Sequence, residues 1–223
     1  MKIINKKLLD LPKTVYFNFK VFPLKVAIHL PVFVSKDIVL KNLHRGCVEI
    51  TCRDIKKFMI QIGSGGSEGQ IGSKVGYFKV NTGAKIIFEG TAGFSMGNSI
   101  RVDSGVFKIG NNFNSNAFSI YHCVNGIEVG KDVLIGCHVT VRDNDGHKLM
   151  SFQEVNNIKK RESIVIGNKV WICAKVDLLK GSLIPNGCVV GYRSCVLKSF
   201  QEENCLIGGY PAKVLRQNIR WEK

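Results

Sequence analysis

Residues 164–196 read IVIGNKVWICAKVDLLKGSLIPNGCVVGYRSCV. Branched aliphatics stand at Ile166, Ile172, Leu178, Ile184, Val190 and Val196, each six residues after the last. A second apolar residue sits two places earlier at Ile164, Val170 and Val176. That i, i+2 pairing is strand periodicity, because alternate side chains of a strand share a face. Working outward, the same beat holds at Val129, Ile135 and Val141, with Ile127, Val133 and Val139 as partners. Weaker copies lie at Ile62, Ile71, Val80, Ile86, Met96, Val102 and Ile109. Short strands closed by Gly or Asn turns at a period of six predict an all-β hexapeptide solenoid. One aliphatic per unit enters a shared core, and coils stack at the ~4.8 Å spacing of neighbouring strands. An ordinary β-sandwich is the alternative, and six consecutive units at strict spacing argue against it.

The register breaks once, between Val141 and Ile166. Polar and charged residues fill the gap, so 148–163 reads as a loop thrown out from the coil, and such excursions usually carry function. The solenoid is expected over 60–208. Residues 1–59 are expected to form a few short strands, VYFNFKVF and IHLPVFV among them, that start or cap it. Residues 209–223 form a tail, with a turn at Pro211 and a short C-terminal helix.

Composition narrows the function classes. The chain has 223 residues, 45% hydrophobic and 22% charged, a globular balance that excludes wholesale disorder. Glycine is abundant at 23 and proline scarce at 5, which points to tight turns rather than collagen or linker. Lys plus Arg number 32 against 17 Asp plus Glu, a net charge of +15 that calls for anionic partners. MKIINKKLLDLPK is not a signal peptide, and the longest uncharged apolar stretch, Val26–Ser35, is too short to span a bilayer. The eight cysteines form no CxxC pair, so they read as reduced thiols of a cytoplasmic protein rather than as zinc ligands.

The register break opens with RDNDGHKL, residues 142–149. His147 stands at the mouth of the loop, with Asp143, Asp145 and Gly146 before it. Histidine is suited to act as a general base near neutral pH, and a nearby carboxylate can fix its tautomer. A plain surface turn accounts for the same residues. Trp171 follows in the resumed repeat and alone indicates only packing.

Three stretches taken together carry a resemblance: IGNNFNSNAFSIYHCVNGIEVGKDVLIGCHVTVRDNDGH (109–147), IVIGNKVWICAKVDLLKGSLIPNGCVVGYRSCVLKS (164–199) and CLIGGYPAKVLR (205–216). They resemble the hexapeptide-repeat acyltransferases, in the branch of the galactoside, maltose, capsule and polysialic-acid O-acetyltransferases. The resemblance covers roughly residues 60–216 and implies a left-handed parallel β-helix. It implies acetyl-CoA as donor, no metal, and a homotrimer with active sites between subunits. By it, His147 is the catalytic base with Asp145 beside it. Trp171, Ala174, Gly191, Tyr192, Lys213 and Arg216 bind the donor, the last two at its 3′-phosphate. Asn116 and Asp143 bind the acceptor. The chain departs from the family pattern at Cys173 after Trp171-Ile172, at Tyr192 after Gly191, and at Tyr210 before Pro211.

The implied reaction is direct acetyl transfer to a sugar hydroxyl in capsular or lipopolysaccharide synthesis. Alternatives are an amino-sugar N-acetyltransferase or a β-helix scaffold without catalysis. A Cys173 nucleophile is a rival that its small-hydrophobe slot disfavours. A metal triad of His122, His138 and His147, as in carbonic anhydrases on this solenoid, is disfavoured by gaps that miss the eighteen-residue coil. The acceptor is a sugar or glycan, lipid-linked or acidic. The basic clusters, including Lys2, Lys6, Lys7, Lys13, Lys20 and 159–161, fit such an acceptor or peripheral contact with the inner membrane surface. No nucleic-acid reading module is present.

Overall fold

The computed structural model describes residues 6–65, 72–147 and 163–222. The chain winds as a parallel β-helix with three flat faces, and each coil contributes one short strand to each face. Among the described residues the faces hold nine, seven and six strands. The first face stacks Val32–Val34, Ile60–Ile62, Ala92–Phe94, Phe113–Ser115, Leu134–Ile135, Trp171–Ile172, Val189–Val190 and Leu206–Gly209, and ends on Ala212–Arg216. The second runs from Ile38–Lys41 to Cys195–Val196, and the third from Val48–Ile50 to Leu183–Ile184. Strands Val32–Val34, Ile38–Lys41 and Val48–Ile50 pair in parallel with the next coil, so the helix starts at Val32, earlier than the hexad pattern indicates.

Burial follows the alternation. Ile164 and Ile166 face inward, as do Ile172, Leu178, Ile184, Val190 and Val196. Lower coils fill the same interior with rings: Phe78, Phe88, Phe94, Phe107, Phe113 and Tyr121 are all buried. Tyr121 packs on Phe94 and Phe107, and its hydroxyl donates to Ser115 Oγ at 2.7 Å, which satisfies the one polar atom it brings into the core.

The corners are held by side chains that imitate strand hydrogen bonds. Between the third and first faces, Asn168 Oδ1 accepts the Lys131 N–H at 2.9 Å and Asn186 Oδ1 accepts the Asn168 N–H at 2.7 Å. Between the second and third faces, the buried Asp143 carboxylate accepts three backbone N–H groups. They come from Val124 at 2.8 Å, Asn125 at 2.8 Å and Gly126 at 2.6 Å. This corrects the expectation that Asp143 meets the acceptor. Its oxygens are occupied by a turn one coil below and are shielded from solvent. Between the first and second faces, coils approach so closely that a Cβ on Gly136 would lie 2.5 Å from the Ala174 nitrogen.

Both termini differ from expectation. VYFNFKVF is helical, not extended: helix α1 spans Lys6–Val21 and α2 spans Leu24–Ala27. The β-branched and aromatic residues favour a strand locally, but Asp10, Thr14, Phe17, Asn18 and Val21 recur at helical spacing and are all buried. Three of them close the open edge of the first strand. Asp10 Oδ1 accepts the Lys36 N–H at 2.6 Å, and Thr14 Oγ1 accepts the Val34 N–H at 3.0 Å. Asn18 accepts the Val32 N–H at 3.1 Å and donates to the Val32 carbonyl at 2.6 Å. A rise of about 6 Å per four helical residues nearly matches two strand residues, so the ladder stays in step.

At the other end no C-terminal helix forms. Gly209, at φ +107, reverses the chain, and Ala212–Arg216 pairs antiparallel with Leu206–Gly209. Alternation of the half-buried Val214 with exposed Lys213 and Leu215 suits a strand, and the unpaired edge of the last coil supplies the partner. Of the expected loop, 148–162 lies outside the described residues.

Replacing Asp143 with Ala leaves three part-buried N–H groups without their acceptor. We expect a loss on the order of 3 kcal/mol in unfolding free energy, read by chemical denaturation. An unchanged midpoint would show that the corner holds without the carboxylate.

Candidate active site

The corner between the first and second faces gathers most of the candidate residues. Backbone hydrogen bonds stack Asn116, Gly136, Cys173 and Gly191 in one column, each N–H bonding to the coil above. Ala174 and Tyr192 occupy the next position along their coils. Trp171 lies on the first face in register between Leu134 and Val189, with its ring 37% exposed. Strand Ala212–Arg216 carries Lys213 and Arg216, both exposed, past the top of the same face. The expected donor residues and Asn116 therefore share the first face and its corner with the second, Trp171 and Arg216 standing in the column two residues before the corner.

Asn116 is held from beneath. Buried Asn98 donates through Nδ2 to the Ser95 carbonyl at 2.8 Å and the Asn116 carbonyl at 3.1 Å, and its Oδ1 accepts the Ser119 N–H at 3.0 Å. Below Trp171 the first face opens into a groove of about 390 Å³, lined by Gln61, Ser95, Asn112, Asn114, Asn116 and Phe58 among others. Gly93, paired with Asn114, leaves its floor open. Amides and hydroxyls beside an aromatic ring can recognise a polyhydroxylated ligand.

His147 lies elsewhere. It is exposed and follows strand Thr140–Arg142 at the far edge of the second face. The width of a face therefore separates it from the donor edge of its own chain, roughly 10 Å for three strand residues. Asp145 is ion-paired with Lys180 one coil above, a solvent-exposed pair that turns the carboxylate towards the coil. Gly146 adopts φ +79, and an added Cβ would come within 2.9 Å of Arg142 Nη2, so the turn into His147 depends on glycine.

The outward column leading to His147 is basic: Lys41, Lys79, Arg101, His122 and Arg142 stack in register. Asp103 organises its middle, with Arg101 at 2.5 Å, Lys79 at 3.0 Å and His122 Nε2 at 3.0 Å. Burial opposes the Asp103 charge, but these hydrogen bonds outweigh it and hold the carboxyl well below the usual range. Arg142 Nε is buried without a hydrogen-bond partner among the described residues.

Two rival chemistries find little support. Burial pushes the Cys173 thiol up, the wrong direction for a nucleophile. The histidines do not converge: His138 stacks on Phe118 at the donor edge, while His122 sits with Asp103 across the second face.

Periodicity did not reveal Trp221. Its ring lies 6.0 Å from Trp171, and its indole donates to the Lys169 carbonyl at 2.8 Å, buttressing the exposed tryptophan. A second tryptophan in an aperiodic tail was the only signal. The cations over the Tyr192 ring, Lys175 and Arg193 at 5.9 Å each, were also hidden, because they come from different coils or the following residue at a left-handed corner.

No protein-family model matches the chain. WbbJ of Escherichia coli, which carries the name of a lipopolysaccharide biosynthesis O-acetyl transferase, is 30% identical over 148 residues, 58% of this chain and 74% of that protein. Polysialic acid O-acetyltransferase of Neisseria meningitidis is 40% identical over 95 residues, 43% of this chain and 44% of its own length. The crystal structure of the polySia specific acetyltransferase NeuO superposes with a TM-score of 0.46 at 21% identity, covering 86% of this chain and 79% of that one, and adds no argument to the sequence relationship. On the relationship to WbbJ, together with the three-faced coil, the chain belongs to the hexapeptide-repeat acyltransferases, in the branch of capsular and lipopolysaccharide O-acetyltransferases, and is an acetyltransferase built as a left-handed parallel β-helix.

Proposed function

We propose that this protein transfers an acetyl group from acetyl-CoA to a sugar hydroxyl of a surface polysaccharide, as a homotrimer in the cytoplasm whose active sites lie between subunits. The observation that carries the reading is the arrangement of the first face. A groove of amides and hydroxyls lies two coils below Trp171, in line with the donor edge. The names of the relatives supply the polysaccharide class. Free thiols at all eight cysteines suit a reducing compartment. Among the described residues no helix is long and apolar enough to cross a membrane, and the contact we propose with the inner membrane surface is a peripheral one. The basic column ending at Arg142 favours an acidic acceptor.

In this reading the imidazole of His147 takes the proton of the sugar hydroxyl while that oxygen attacks the thioester carbonyl. The tetrahedral intermediate collapses, the carbon–sulfur bond breaks, and the thiolate of coenzyme A receives the proton back from the imidazolium. Backbone N–H groups of the donor corner are suited to stabilise the oxyanion. Asp145 steadies the turn through Lys180 and acts as a positioning residue. Trp171, backed by Trp221, flanks the thioester, while Ala174, Gly191 and Tyr192 border the pantetheine. Lys213 and Arg216 meet the 3′-phosphate. Asn116 holds the acceptor. His147 reaches the donor edge of the neighbouring subunit, which explains why one chain keeps the two apart.

His147→Ala is expected to lower kcat by about 10²–10⁴ with the circular dichroism unchanged. Activity within a factor of three of wild type would remove His147 as the base. Co-expression of His147→Ala with Trp171→Ala is expected to restore transfer that neither variant shows alone, because mixed assemblies contain intact interfaces. Failure to recover any activity would place both residues in one chain's site. Lys213→Ala with Arg216→Ala should raise the KM for acetyl-CoA more than it lowers kcat. With a donor lacking the 3′-phosphate the double variant and wild type should converge, and a persistent difference would reassign these cations.

A further inference from the structure

We propose that the outer face of α1 docks this protein on an anionic lipid bilayer. The helix carries apolar residues on both sides: Phe17 and Val21 are buried in the core, with Phe17 edge-on to Phe78. Its inward side carries Asp10, Thr14 and Asn18, which close the edge of the first strand. Its outward side carries Leu11, Val15 and Phe19, spaced by four residues, with Tyr16 alongside. A helix facing only water normally shows the opposite pattern. The exposed fractions, 55% for Tyr16 and 42% for Phe19, are large for aromatic rings with no partner to cover them.

The apolar surface continues beyond the helix. Leu24 and Ile28, both exposed, extend it through α2. On the other side, Tyr16 borders a cavity of about 580 Å³ with Val39 and Val75, which are exposed as well. Together these residues form a broad end surface across the start of the coil, away from the donor edge.

Charge selects the occupant. Lys20 and Lys25 flank the apolar face, Lys13 being held by the Ile38 carbonyl at 2.7 Å, whereas Asp10, the only acid within 10–28, is buried against the strand edge. Beside the cavity Asp37 is paired with Lys36 at 3.2 Å, so the apolar stripe is bordered by a net excess of lysines, which matches the acyl boundary and phosphate layer of an anionic membrane. A second copy packed face to face would bring two surfaces of the same positive sign together, where like charges repel, and burial of this face in a trimer contact is read by light scattering. The inference deepens the membrane contact of the proposed function and rests on it for that contact alone, not on the transfer chemistry.

The test is flotation of the purified full-length chain with vesicles of equal parts phosphatidylcholine and phosphatidylglycerol, against phosphatidylcholine alone. The wild-type protein should float with the anionic vesicles and about tenfold less with the neutral ones. A combined Leu11→Gln, Val15→Gln and Phe19→Gln variant should lose about tenfold in bound fraction or more. Lys20→Glu with Lys25→Glu should do likewise. Both variants should keep the wild-type melting temperature and its transfer to a water-soluble sugar acceptor. Wild type remaining unbound to anionic vesicles would overturn the proposal, as would an apolar variant that floats like wild type. So would a smaller assembly for that variant by light scattering, since a second copy would then cover the face. Absence of acetyl transfer in a protein that floats would strike the catalytic reading and leave this one standing.

Discussion

Each coil of this molecule hydrogen-bonds the coils above and below it through three short strands, and that constraint governs everything else. Coil height is fixed at about 4.8 Å regardless of how many residues a coil contains. Trp171 pairs with Val189 eighteen residues on, Asn114 with Leu134 twenty on, and Val32 with Ile60 twenty-eight on. Additional residues cannot enter a strand without breaking the ladder, so they leave at a corner. The chain departs after Arg142 and rejoins at Ile164 for this reason, and His147 is carried outward on the departing segment. The same constraint compresses the opposite corner, where Gly136 faces the backbone at Ala174. A flat, small-residue edge and a projecting histidine are thus two outcomes of one stacking rule.

A stack of parallel strands leaves an unpaired edge at each end, and such edges invite aggregation. The chain closes them by different means. At the start, α1 substitutes side-chain oxygens and an amide for a missing strand. At the finish, an antiparallel strand folds back on Leu206–Gly209. The second closure also carries Lys213 and Arg216, so the five residues that protect the end are the same ones that hold the cations proposed to meet the donor.

How much of this was legible from sequence follows from where the period is pure. The run from Ile166 to Val196 displays both coil size and core identity, because each coil there is close to its minimum length with aliphatics inside. The lower coils vary in length and are filled with Phe78, Phe88, Phe94 and Phe107, so the same architecture showed only faintly. Helix α1 was missed because apolar residues stand on both of its sides, Phe17 and Val21 inward and Leu11, Val15 and Phe19 outward, with polar Thr14 and Asn18 buried between, so hydrophobic patterning shows no helical stripe. The tail was read as helix because a two-strand return needs a partner that only the folded coil provides. At the site, motif order identified the candidate residues, but it could not reveal that Asp143 is enclosed by the N–H groups of 124–126. Nor could it show that His147 and Trp171 of one chain lie on different edges.

The departure at Arg142 bears on how such enzymes diversify. Thirty-seven residues separate Leu134 from its partner Trp171, about twice the eighteen between Trp171 and Val189. The nineteen additional residues enter as a closed loop, and lengthening such a loop costs only about 0.6 kcal/mol in chain entropy per doubling of its length. Stability therefore exerts almost no selection on the length of the segment that follows the histidine. Insertions and deletions there can accumulate and be sorted by what they recognise, while the coils beneath remain under strict spacing. The fold separates the part of the sequence whose spacing the ladder fixes from the part whose length it leaves free.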